Sequence, residues 1–145
     1  MLNTVTDFKE IGFNSDTLGI DDITQDDNDK TALDRYIESN VLEAGYLLES
    51  LTGKYNSAGS GSADLKSRMT RAELLLGIRN MLELTWSKNT TSENMISIEG
   101  IQVQTYNLSL DRQKDIQDNL LQRAKQVVEP YLLSGSSSFF GALIV

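Results

Sequence analysis

The chain predicts a mainly α-helical protein with three amphipathic helices, one short β-hairpin, and extended N- and C-terminal arms. Three observations carry that prediction. Apolar residues recur at steps of three and four in three long windows. Two four-residue runs alternate with period two on either side of Glu99-Gly100. Glycine- and serine-rich stretches at 56–62 and 135–138 separate the second helix from the first and an apolar ending from everything before it.

Residues 1–30 are polar and acidic, holding eight acidic and two basic side chains of a chain whose net charge is −8. Phe8, Ile11, Phe13, Leu18, Ile20 and Ile23 are spaced without a clear period, so this leader is expected to lie weakly structured across a surface. The first helix is expected from Thr31 to Thr52, with Leu33, Ile37, Val41, Ala44, Leu48 and Leu51 forming one stripe. Asp29 or Thr31 suits its N-cap, and Gly53 suits a left-handed C-cap. Residues 56–62 then read as a flexible linker.

The second helix is expected from Ala63 to Ser87, its stripe made by Leu75, Ile78, Leu82 and Trp86 and widened by Leu74 and Met81. Thr70-Arg71-Ala72-Glu73 has the capping-box pattern and allows a kink or restart near Thr70. Arg79 falls at the edge of the apolar face, where it either lays its stem on the core with its head in water or pairs with a neighbouring subunit. Met95-Ile96-Ser97-Ile98 and Ile101-Gln102-Val103-Gln104 read as a tight hairpin with Ile98 opposite Ile101 and Ile96 opposite Val103. That face covers either a helix of the same chain or a partner. The last helix is expected from Leu110 to Glu129, with Ser109 as N-cap, Ile116, Leu120, Ala124 and Val127 in register, and Pro130 disrupting the pattern. Three regions follow: a leader at 1–30, a helical domain at 31–133 with its hairpin at 95–104, and a spacer with an apolar arm at 134–145.

Histidine and cysteine are both absent, which removes the usual zinc sites, cysteine nucleophiles and Ser-His-Asp triads. The acidic string from Asp21 to Asp29 lacks the central glycine and terminal glutamate of a calcium loop, so no metal and no cofactor is expected. Glu38, Glu43, Glu73 and Glu83 read as solvated helix faces, as do Asp111, Asp115 and Asp118, and no enzyme chemistry is expected. No clustered run of Lys and Arg is present to displace counterions from nucleic acid, although Arg68, Arg71 and Arg79 lie close together. No signal peptide or spanning helix is expected, so the reading is a soluble protein made in a cytoplasm, with no membrane partner. An orphan hairpin and the greasy ending Phe139, Phe140, Leu143, Ile144 and Val145 both ask for a neighbour. Those five residues are the candidate partner-binding arm, the alternative being a terminus folded onto its own core.

The order of these parts resembles the small head-to-tail connector, or adaptor, proteins of tailed bacteriophages. In that family a leader like Leu18 to Thr24 runs into a helix like Asp34 to Leu51, then a second helix like Ala72 to Trp86. A hairpin like Ser97 to Tyr106 and a final helix like Leu120 to Leu132 complete the set. The resemblance covers residues 18–133 and implies a structural virion protein of the neck region. Its partners would be the portal protein, neighbouring copies in a ring (twelvefold as in that family), a downstream neck or tail protein, and DNA passing through the channel without specific binding. The alternative is a small DNA-recognition subunit of a phage packaging motor.

Overall fold

The computed structural model describes residues 1–88, 95–98, 101–104 and 108–133. The chain is mainly α-helical, and the described residues form five α-helices where three were expected. These are α1 (Val5–Ile11), α2 (Ser15–Leu18), α3 (Ala32–Thr52), α4 (Ala63–Lys88) and α5 (Leu110–Val127). Two strands, β1 (Met95–Ile98) and β2 (Ile101–Gln104), lie between α4 and α5.

The two additional helices occupy the segment expected to be a weakly structured leader. Each is specified by a cap instead of by periodicity. Thr4 accepts from the Asp7 amide while the Asp7 carboxylate accepts from the Thr4 amide, and Asn14 and Thr17 repeat the arrangement for α2. Phe8, Phe13 and Leu18 are thereby turned into the core, each fully buried. Phe8 seats against Gly77 of α4, where a Cβ would stand 2.8 Å from its ring.

The segment after α2 is also held. The Asp21 carbonyl accepts from the Leu33 amide at 3.0 Å, and Asp22 accepts from Lys9 and from the Thr31 hydroxyl, both at 2.8 Å. Asp26 pairs with Arg35 and accepts from the Asn28 and Lys30 amides. The leader is therefore folded onto α3, because its carboxylates find local amide and cationic donors.

Helix α3 starts at Thr31, whose hydroxyl accepts from the Asp34 amide, and stops at Gly53, whose φ of 66° places it in the left-handed region. Leu33, Ile37, Val41, Ala44 and Leu48 are buried along one stripe. Helix α4 runs unbroken through Thr70, so no restart occurs there: the Thr70 hydroxyl donates back to the Lys66 carbonyl at 2.7 Å and caps nothing. Residues 56–62 are not a free linker, since Ala58–Ser60 forms a 3₁₀ turn with Ala58 fully buried.

Helix α4 is the central element, packed between α3 and α5. The Asn80 side chain donates to the Asn40 carbonyl, and Gly77 lies against Val41, so α3 and α4 run antiparallel with Asn40 level with Asn80. Ser109 caps α5 as expected, and Leu120, Ala124 and Val128 are buried beneath it. Pro130 opens a 3₁₀ turn, Glu129–Tyr131, after which the Leu133 amide donates to Leu51 at the end of α3. Strands β1 and β2 run antiparallel with Ile96 opposite Val103 and Ile98 opposite Ile101, and Val103 is buried.

Candidate functional site

The expected docking residues Phe139, Phe140, Leu143, Ile144 and Val145 lie outside the described residues. Within the described residues a different surface takes shape around Glu73. This carboxylate was expected on a solvated face, yet it is fully buried. Its position explains the difference: Glu73 stands four residues beyond Met69 and three before Leu76, on the buried side of α4.

The Glu73 carboxylate accepts from the Leu2 amide at both oxygens, 3.1 and 2.9 Å, and from the Asn3 amide at 2.7 Å. The Asn3 side-chain amide donates to it at 3.0 Å, and the Tyr55 hydroxyl makes a short bond to its other oxygen. All of these partners are donors, which suits a group that accepts at both oxygens. Asn3 also donates to the Thr70 carbonyl at 2.7 Å, so the start of the chain is tied to α4 at two places. Burial, then the hydrogen bond to Glu73 and its charge, pushes the Tyr55 phenol well above its usual range.

This hub fixes the two sides of an exposed apolar patch. Tyr55 is drawn across α3 and rests on Gly45, where a Cβ would stand 2.5 Å from the ring, so glycine is needed for that approach. Leu2 and Asn3, held by Glu73, deliver Met1 to the same face. Between them Leu42 and Tyr46, one turn apart on α3, are 53% and 65% exposed, and Met1 is 56% exposed. A cavity of about 580 Å³ lies among Met1, Leu42, Tyr46 and Tyr55, with Arg35 and Glu38 at its edge. Exposed apolar side chains clustered about a concavity with a charged rim form a surface that favours contact with another protein.

A second concavity, about 470 Å³, is lined by Arg68 and Arg71 of α4 and by Arg123, Gln126 and Val127 of α5. Arg68 is set by Asp64, at 3.0 Å, and by the Val127 carbonyl, at 2.9 Å. The Tyr131 hydroxyl and then Arg68 hold the Asp64 carboxyl below the usual range. Arg79 does not join this cleft. It is half-buried, its Nε has no hydrogen-bond partner among the described residues, and its charge adds to burial in lowering the pKa of Lys125.

Asp111, Asp115 and Asp118 are exposed as expected. Among the described residues no group of three carboxylates is placed to hold a metal, and no helix is long and apolar enough to cross a membrane. No protein-family model, no curated protein and no solved structure matches the chain.

Proposed function

We propose that the chain is a structural subunit of a ring that joins the capsid portal of a tailed phage to the next neck or tail component and extends the DNA channel. The observation that carries this reading is the Met1, Leu42 and Tyr46 patch, an apolar surface facing solvent and ordered by a buried carboxylate. The resemblance in order of parts, including a strand pair between the last two long helices, supplies the family context. The partner proposed for the patch is the portal protein, with residues 139–145 as a second point of attachment.

Leu42 and Tyr46 are already partly covered, so burying the remainder would contribute about 1–2 kcal/mol each before the entropy of docking is subtracted. Light scattering of the purified chain mixed with portal rings tests the reading. A complex is expected for the wild type, and it is expected to be lost in a Leu42→Glu, Tyr46→Glu double variant and weakened by removal of residues 139–145. Failure of the wild type to join portal rings overturns it.

The Arg68, Arg71 and Arg123 cleft favours a second reading, a DNA-recognition subunit of a packaging motor. Binding of duplex DNA that weakens steeply with salt would support that reading.

A further inference from the structure

The arginine cleft does not stand alone. Arg71 also borders a neighbouring cavity of about 450 Å³, floored by Ala63, Ser67, Thr70 and Leu74 and edged by Lys66. Together they make an apolar hollow beside three guanidinium groups. An arginine presents its N–H donors in a planar fork that matches the geometry of a carboxylate.

The chain carries a shape of matching chemistry elsewhere. Ile23 is 88% exposed, the most exposed of its large apolar side chains among the described residues. Four carboxylates flank it: Asp22 and Asp26 are paired with Lys9 and Arg35, while Asp21 and Asp27 are exposed beside it. The loop is already set, because Asp21 accepts from the Ile23 and Thr24 amides at 3.2 and 3.0 Å and Asp26 accepts from the Asn28 and Lys30 amides. An apolar knob on a preformed acidic loop loses little entropy on docking.

One copy cannot bring the two together. Asn40 is level with Asn80 in the antiparallel pair, and Asp21 is bonded to Leu33 near the start of α3, level with the end of α4. Arg68 and Arg71 lie some five turns back along α4, so at 1.5 Å per residue the loop and the cleft are about 25 Å apart. Complementary surfaces at opposite ends of one molecule produce a head-to-tail contact between copies, which closes into a ring when the rotation allows.

We propose that the Ile23 loop of one copy docks in the Arg68, Arg71 and Arg123 cleft and its adjoining hollow on the next copy. This inference rests on the assembly reading above and names the contact between subunits. The net charge of −8 and the acidic loop on the same chain favour a protein carboxylate over nucleic acid as the occupant.

The chain has no cysteine, so any disulfide reports an engineered contact. Full-length chains carrying either Ile23→Cys or Ser67→Cys are mixed in equal amounts and oxidised, and the mixed dimer is expected well above the twofold excess over either homodimer that random pairing gives. Arg71→Glu with Arg123→Glu on the Ser67→Cys chain is expected to slow it at least about tenfold. Asp27→Lys on the partner chain is expected to restore part of the rate, which a misfolded variant would not permit. A mixed yield no greater than twice either homodimer, or indifference to charge reversal, overturns the proposal. Binding of a short DNA duplex that the same arginine variant abolishes assigns the cleft to nucleic acid instead. Wild-type chains that join portal rings, together with cysteine variants that give no excess of the mixed dimer, overturn this interface and leave the assembly reading standing. A chain that does neither overturns both.

Discussion

Replacing Glu73 with glutamine keeps the side chain's shape and removes its charge. The structure dictates how the amide settles. With its NH₂ in place of the oxygen that serves the Asn3 donors, two donors at 2.7 and 3.0 Å would be faced by another donor, so the NH₂ turns toward Tyr55. Tyr55 can rotate its hydroxyl to accept, but the Leu2 amide loses its 2.9 Å acceptor and keeps only the 3.1 Å one. Every remaining bond then ends on a neutral acceptor. Hydrogen bonds to charged groups contribute about 1.5–3 kcal/mol and neutral ones about 0.5–1.5, so the expected loss is about 2–3 kcal/mol. In a domain of this size that lowers Tm by roughly 6–9 °C. Leucine at the same position strands all the donors and should destabilise by roughly 4–6 kcal/mol. Thermal unfolding followed by circular dichroism reads both values, and hydrogen exchange at Leu2 and Asn3 reports the local release. A Glu73→Gln protein that melts within about 1 °C of wild type would refute the hub.

Three further outcomes are expected. Gly77→Ala, although a gain of about 1 kcal/mol in helix propensity, should destabilise by about 1–2 kcal/mol net in a denaturant titration, because its Cβ would meet the fully buried Phe8 ring at 2.8 Å. The Tyr55 phenol is raised in the folded state by burial and by Glu73, and the unfolded phenol ionises near pH 10. Stability is thus complete below about pH 10 and falls as pH rises beyond it, by at most about 1.4 kcal/mol per unit for this group, and Tyr55→Phe should flatten that decline. Lys9 bridges Asp22 and Asp34 at 2.8 and 2.7 Å. Burial opposes the charge on Asp34, yet its bonds to Lys9 and to the Thr31 amide outweigh it and leave its pKa lowered. Its contribution is present above the ordinary aspartate pKa and is lost as pH falls through the lowered value. Lys9→Met should cost about 1–2 kcal/mol at neutral pH and reduce the acid sensitivity of the melting curve.

The three long helices were legible because each repeats its apolar residues over several turns, and because the hydroxyls of Thr31 and Ser109 cap two starts and the left-handed backbone of Gly53 ends α3. Helices α1 and α2 were missed since seven and four residues are too few to show a period. Their signals were the pairs Thr4 with Asp7 and Asn14 with Thr17. Glu73 was misread because Thr70 precedes it at capping-box spacing, while its spacing from Met69 and Leu76, which did place it on the buried side, competed with its charge. Ala58 was read as linker because its glycine and serine neighbours dominate the composition. The Arg123 side of the arginine cleft had no local signal at all, since only the packing of α5 on α4 brings it to Arg68.

The bonds from Leu2 and Asn3 reach a residue about 70 positions further along the chain. During synthesis at about 5–20 residues per second, the first residues emerge roughly 4–14 s before their acceptor exists. The local caps at Thr4 and Asn14 can form in that interval, but Phe8 and Phe13 have no core to enter until α4 has been made. Residues 2–13 thus wait for a partner made about 70 positions later before they find their place in the core.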